Sequence, residues 1–334
     1  MKITILGAGA WGTALAMSLA ARNDMLLWGR NTALMQQMAE TRDNNTYLPG
    51  FTLPAGLQVT ADFDVALKHV ADPADLLILA TSVAGLRPAL QQCLPYAPKR
   101  VVWLCKGFEE GSMLLPHQVV QQVLGDGGGI AAGALSGPSF AQEVAKGMPC
   151  ALTIASSSAE LCRQVVSAAH GNALRVYSSD DLVGVEVGGA VKNILAIATG
   201  IADGLGLGLN ARAALITRGL AEISRLSSVL GGRVETLMGL TGVGDLILTC
   251  TGDLSRNRKV GLALAQGKSL PVIVAELGHV AEGVRCAQAV RALAAKLKVE
   301  MPIADAVAGV LFDDVPVQQM IGRLLARDAK QELN

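Results

Sequence analysis

The chain has 334 residues, enough for about two domains at roughly 150 residues each. Its 28 basic and 28 acidic side chains cancel, 17% of residues are charged and 51% are hydrophobic. This excludes a disordered chain and leaves no basic surplus for a nucleic-acid binder. Aromatics are scarce at 3%, while glycines number 37 against a usual share of about 7%, so the composition describes an aliphatic core with many close backbone approaches.

In chain order, residues 2–6 (Lys-Ile-Thr-Ile-Leu) form a β-branched run ended by glycine, a buried strand, and 10–22 continue at helical spacing. A second strand is predicted at 25–28 and a polar helix at 32–42. A further strand and helix fall at 75–80 and 84–94, then a strand at 100–105 and a helix near 113–124. Shorter strands follow at 131–135, 151–155 and 174–177. Strands alternating with helices predict an α/β fold, a doubly wound Rossmann-type parallel sheet covered on both faces. After Ser178-Ser179-Asp180-Asp181 the character changes. Residues 182–202, 211–230, 281–297 and 301–312 are Ala/Leu/Val-rich with helical period, and Ser179 and the aspartates suit an N-cap. The expected organisation is a dinucleotide-binding domain over 1–180, a mostly α-helical domain over 181–326 and a frayed polar tail over 327–334. No internal repeat or low-complexity linker is visible.

The most apolar stretch, 182–209, is interrupted by Glu186, Lys192, Asn193 and Asp203, so it reads as a buried helix and not a transmembrane one. The first motif begins at residue 3, so no signal peptide is expected. Six scattered cysteines form no Cys-x-x-Cys pair, and the four histidines lie far apart. This predicts no metal site and a reducing, cytoplasmic setting.

Gly7-Ala8-Gly9-Ala10-Trp11-Gly12 is a G-x-G-x-x-G turn between a strand and a helix, the context that gives this pattern meaning. Gly7 permits the tight turn, Gly9 a close approach of pyrophosphate, and Gly12 close helix–strand packing; the helix N-terminus supplies N–H donors. The second strand ends Leu27-Trp28-Gly29-Arg30-Asn31, with no acid for the ribose hydroxyls. Arg30 can accept a 2′-phosphate, so NADP(H), or both NADP(H) and NAD(H), is the expected cofactor.

Gly188-Gly189-Ala190-Val191-Lys192-Asn193 lies in an otherwise apolar helix. Two glycines there cost about 1 kcal/mol each relative to alanine, so a close neighbour should compensate. Lys192 fits either a catalytic lysine with a lowered pKa or a lysine whose stem is buried and whose amine reaches solvent. Lys106-Gly107 follows the strand 100–105, at the carboxyl edge where open sheets bind ligands. Two lysines in one cleft would suit proton transfer. Ser139, in Gly137-Pro138-Ser139-Phe140-Ala141, suits an N-cap for a helix at 140–146 or a cleft contact. Ser255-Arg256-Asn257-Arg258 suits a phosphate or a capped helix start, and Asp245 follows Gly242-Val243-Gly244. The glycines of the 7–12 turn, Gly137, Gly188-Gly189 and Gly242 to Gly244 are all expected beside a ligand.

These segments in this order resemble the bacterial NAD(P)-dependent glycerol-3-phosphate dehydrogenases. The likeness also draws on Ser136, Asn210-Ala-Arg-Ala-Ala-Leu-Ile-Thr-Arg218, Leu248-Thr-Cys-Thr251 and Glu282-Gly283, and runs from residue 1 to about 325. It implies reversible hydride transfer between NAD(P)H and dihydroxyacetone phosphate to give sn-glycerol 3-phosphate, a phospholipid precursor. It implies Lys192 as proton donor and acceptor, and Lys106, Gly137, Ser139, Lys192, Asp245, Ser255, Arg256 and Asn257 as substrate contacts. Gly7, Gly9, Ala10, Trp11, Gly12, Arg30, Lys106, Ala141, Arg256, Val280 and Glu282 are implied for the cofactor. Ala10 departs from a frequent serine. Apolar helices in the second domain suit a homodimer. Two rivals remain: a β-hydroxyacid or 6-phosphogluconate-type dehydrogenase of the same plan, and a non-catalytic NADP(H) sensor.

Overall fold

The computed structural model describes residues 1–125, 129–171, 173–278, 281–328 and 331. The chain divides into two compact units. The first holds Met1–Lys106 and Pro116–Leu182, and the second Gly107–Leu115 and Val183–Asn334.

The first unit carries ten strands: β1 (Lys2–Leu6), β2 (Asp24–Trp28), β3 (Asp43–Asn44), β4 (Leu48–Thr52), β5 (Leu57–Thr60), β6 (Leu76–Leu79), β7 (Arg100–Trp103), β8 (Ala131–Ser136), β9 (Cys150–Ala155) and β10 (Leu174–Ser179). Its helices are α1 (Ala10–Leu19), α2 (Thr32–Thr41), α3 (Phe63–His69), α4 (Val83–Cys93), α5 (Pro116–Leu124), α6 (Ala141–Ala145) and α7 (Ala159–Ala169). Eight strands form one sheet in the order β10-β9-β8-β7-β6-β1-β2-β5. Its central strands are apolar throughout: all four residues of β6 are buried, as is β1 beyond Lys2. That is the signature of a sheet covered on both faces.

The sheet is parallel except at one junction: β8 and β9 run antiparallel, pairing Ala134 with Ala155 and Ser136 with Thr153. The all-parallel expectation fails here. The connection 137–149 carries only the five-residue α6. The chain re-enters the sheet at the edge it left. A separate hairpin, β3–β4, lies between α2 and β5.

The second unit is helical: α8 (Leu182–Gly204), α9 (Gly208–Val229), α10 (Val234–Leu237), α11 (Asp245–Thr251), α12 (Arg256–Ala265), α13 (Leu270–Leu277), α14 (Glu282–Leu297), α15 (Pro302–Phe312) and α16 (Val317–Leu325), with a wide π-type turn at Leu240–Gly244. Helix α8 is long and apolar enough to cross a bilayer by length and composition, yet 184–202 is buried throughout. Its Val191, Ile194, Ile197 and Ile201 pack in one core with Ile223 of α9, Val290 of α14 and Val307 of α15, as a helix apolar on all faces requires. Phe108 and Leu115 join this core from the 107–115 segment.

Candidate active site

The glycine turn sits where the sequence placed it. Gly7 adopts φ +128°, and a Cβ there would lie 2.4 Å from the Ala80 carbonyl oxygen. One on Gly12 would lie 2.0 Å from the Gly7 oxygen. Both positions are closed to side chains by backbone. Gly9 differs: a Cβ there would meet no atom within 4 Å, and its φ of −74° needs no glycine. What its hydrogen leaves is open space at the start of α1. The first N–H groups of that helix have no intrahelical acceptor, and its first turn carries no acidic residue. Gly9, Ala10 and Trp11 are partly exposed amid buried neighbours. These residues fit the pyrophosphate of a dinucleotide. Arg30 is exposed two residues beyond β2, before Asn31, which caps α2 by accepting from Leu34 N–H at 3.1 Å.

In the same unit, the ends of the adjacent strands β7 and β8 bring three of the expected residues together. Lys106 Nζ donates to the Gly137 carbonyl at 3.0 Å, and Ser139 Oγ donates to the same oxygen at 3.2 Å. Ser139 is therefore not the helix cap: α6 begins two residues later, after Phe140, with no side-chain cap, and Ala141 is its first residue.

In the second unit, Lys192 is 6% exposed, so its amine does not snorkel to solvent. It forms an ion pair with Asp245, itself 1% exposed, and Nζ donates to Thr249 Oγ1 at 3.0 Å. Thr249 Oγ1 in turn donates to the Asp245 carbonyl at 2.6 Å. Asp245 and Thr249 stand one turn apart on α11, so a single helix face presents both groups. The sequence reading missed Thr249. The i,i+4 spacing within Asp245…Leu248-Thr-Cys-Thr251 was the signal available.

The next residue along α8, Asn193, was missed as well. Its Oδ1 accepts from Asn257 Nδ2 at 2.9 Å, and Asn257 Oδ1 accepts from Gly283 N–H at 2.9 Å. Asn257 thus ties together α8, α12 and α14. Ser255 caps α12 by accepting from Arg258 N–H at 3.2 Å. Arg256 is exposed on the first turn of α12 and no acceptor among the described residues pairs with it. The surrounding protein lowers its guanidinium pKa by desolvation, opposed by the Glu282 carboxylate. Burial raises the Glu282 carboxyl in turn, against Arg285 and Arg256. Val280 lies outside the described residues.

Two of the glycines are required by backbone packing. A Cβ on Gly188 would lie 2.5 Å from the Thr241 carbonyl oxygen, and one on Gly242 would lie 1.9 Å from that of Leu237. At these two glycines the close neighbour is backbone.

A glycine-turn nucleotide fold followed by a helical unit with a buried lysine–aspartate pair defines a dinucleotide-dependent oxidoreductase. Its sequence relatives narrow the class. The model of the NAD-dependent glycerol-3-phosphate dehydrogenase N-terminus matches residues 2–162, and that of the C-terminus matches 181–322. A glycerol-3-phosphate dehydrogenase [NAD(P)+] of Herminiimonas arsenicoxydans is 67% identical over 333 residues, covering 100% of both chains. One of Paucimonas lemoignei is 68% identical, covering 99% of this chain and 98% of its own. The crystal structure of glycerol-3-phosphate dehydrogenase from Coxiella burnetii superposes with a TM-score of 0.92 at 42% identity, covering 98% of this chain and 99% of that one. The chain belongs to the NAD-dependent glycerol-3-phosphate dehydrogenase family.

Proposed function

We propose that this protein interconverts dihydroxyacetone phosphate and sn-glycerol 3-phosphate with NADPH or NADH, that residues 1–180 bind the cofactor, and that 181–326 supply the proton-transfer group. The observation that carries the reading is the buried Lys192, held by Asp245 and Thr249.

The nicotinamide, when bound, supplies or accepts the hydride. The chain's own residues do the rest. Lys192 donates its proton to the ketone oxygen as charge grows there, and Asp245 and Thr249 hold the amine in one orientation. Lys106 adds a second cation, with Gly137 and Ser139 beside it. Arg256 holds the phosphate together with Ser255 and Asn257, and binding at that remote group positions the reacting carbon. Gly7, Gly9, Ala10, Trp11 and Gly12 hold the pyrophosphate, Arg30 a 2′-phosphate, and Ala141, Val280 and Glu282 complete the cofactor contacts.

The test is Lys192→Met. General acid–base groups contribute about 10²- to 10⁴-fold, so kcat should fall by that range in a spectrophotometric assay with dihydroxyacetone phosphate, with NADPH affinity kept. Near wild-type kcat would refute the role.

A homodimer is supported by exposed apolar side chains at the start of α9 and after α10: Leu207, Leu209 and Met238. Light scattering on the purified protein checks it. A cytoplasmic setting accords with the buried thiols of Cys93, Cys250 and Cys286, which burial pushes up to about 12.

A further inference from the structure

The hairpin β3–β4 places one buried amide against the glycine turn. Asn44 is 1% exposed. Its Nδ2 donates to the Ala8 carbonyl at 2.9 Å and to Thr13 Oγ1 at 2.8 Å, while its Oδ1 accepts from Tyr47 N–H at 3.2 Å. Leu48, paired with Asn44 across the hairpin, is buried with Ala14 of α1 and Val144 of α6. The amide is therefore held from both sides. No other side chain does this work equally well: aspartate cannot donate, and glutamine is one carbon longer.

The consequence is directional. A trans peptide is planar, so a carbonyl and the N–H that follows it point opposite ways. With the Ala8 oxygen held by the buried Asn44 amide, the Gly9 N–H points the opposite way, away from Asn44, at a residue that is itself partly exposed. The second bond, to Thr13, fixes the first turn of α1 against the same amide.

We propose that Asn44 is a positioning residue for the cofactor: it orients the Ala8–Gly9 peptide and the start of α1 so that their N–H groups meet the pyrophosphate. The proposal rests on the reading that the 7–12 turn binds the dinucleotide.

The test compares the full-length wild type with Asn44→Asp, Asn44→Ser and Thr13→Val. NADPH is compared with adenosine 2′-monophosphate, which lacks the pyrophosphate. Wild-type binding of NADPH is the control, and its absence overturns the reading of the turn and the proposal with it. Asn44→Asp should weaken NADPH about ten-fold or more, because the bond to the Ala8 carbonyl is lost and a carboxylate faces that oxygen, while the Thr13 hydroxyl can turn to donate to it. Adenosine 2′-monophosphate should bind as before, and the KM for NADPH should rise far more than the KM for dihydroxyacetone phosphate. Asn44→Ser should lose less, and Thr13→Val, which keeps the Ala8 contact, least. Equal loss of both ligands would mean a structural role only and overturn the proposal, as would unchanged NADPH affinity in Asn44→Asp. Should Asn44→Asp fail to fold, Asn44→Ser and Thr13→Val decide by the same comparison.

Discussion

An ammonium buried without a partner costs several kcal/mol, and Lys192 avoids that cost through Asp245, one of the most buried carboxylates in the second unit. Removing one partner of such a pair destabilises by about 3–5 kcal/mol. Asp245→Asn should therefore lower both the melting temperature and kcat, and Lys192→Met should do the same, because it leaves the Asp245 carboxylate buried and unpaired. A double variant, Lys192→Met with Asp245→Asn, should regain stability over Asp245→Asn but no activity; thermal melts and rates read together check this. Arg30 belongs to a different kind of site, exposed and without a buried partner. Arg30→Asp should weaken NADPH and favour NADH, since an acid suits free ribose hydroxyls and repels a 2′-phosphate. Parallel KM measurements with both cofactors decide, and unchanged NADPH affinity would remove Arg30 from the 2′-phosphate site.

Elements carry information the residues alone do not. The strands β1, β2, β6 and β7 were legible because apolar runs bounded by glycine or charge have few other readings. So was α8, whose length and period leave no strand alternative. The hairpin β3–β4 was not legible, because two- and five-residue strands with polar faces show no period, and Asn44 reads in sequence as a loop residue. Helix α7 was missed although Ser156-Ser157-Ser158 separates it from β9 and Ser158 caps it by accepting from Leu161 N–H at 3.2 Å. At the site, Lys192, Lys106 and the Ser255 cap could be placed from motif context, but the partnerships of Thr249 and Asn193 depend on which helices meet, and spacing cannot supply that.

The meeting of α8 and α12 is itself testable. A Cβ on Gly261 would lie 2.1 Å from the Ile197 carbonyl oxygen and 2.8 Å from Gly200 Cα, so the two helices touch by backbone. Gly261→Ala should separate them, cost about 1–3 kcal/mol through overpacking, and raise the KM for dihydroxyacetone phosphate by displacing Arg256 and Asn257 on α12. A KM unchanged despite lower stability would show that this crossing does not set the substrate contacts.

Helix α15 offers a pH test. Glu222 of α9, 1% exposed, accepts from Ile303 N–H at 2.7 Å and Ala304 N–H at 3.1 Å. Burial raises its carboxyl from 4.5 to about 7, outweighing those two bonds and the nearby Arg225 and Arg327, which favour the carboxylate. Below the unfolded value the group is protonated in both states and its contribution is complete. As pH rises toward 7 the unfolded chain releases the proton while the folded protein retains it, so stability falls through that window and levels off above it. Glu222→Gln should flatten this part of the profile in urea unfolding at pH 5, 6, 7 and 8. A slope identical to wild type would mean that another group titrates.

At the scale of the whole molecule, the chain passes between its two units after Lys106, after Leu115 and after Leu182. Each unit has its own apolar core. The zero net charge acquires meaning against the site. A dinucleotide and a phosphorylated ketone are both anions, and the protein offers them no long-range positive field. On the proposed assignment their attraction comes from Lys106, Lys192, Arg256 and Arg30 at short range. Global steering raises association by about 10- to 10³-fold and collapses steeply with ionic strength, whereas contacts inside a Debye length of about 10 Å at 0.1 M are screened far less. Raising sodium chloride from about 50 to about 300 mM should therefore lower kcat/KM for dihydroxyacetone phosphate by less than about ten-fold, with the change falling in KM and not in kcat. Arg256→Ala should lose affinity and, with it, part of the remaining salt dependence, because its guanidinium is exposed and therefore screened by salt. A steep salt dependence that survives Arg256→Ala would place the attraction in the charge distribution of the whole surface instead.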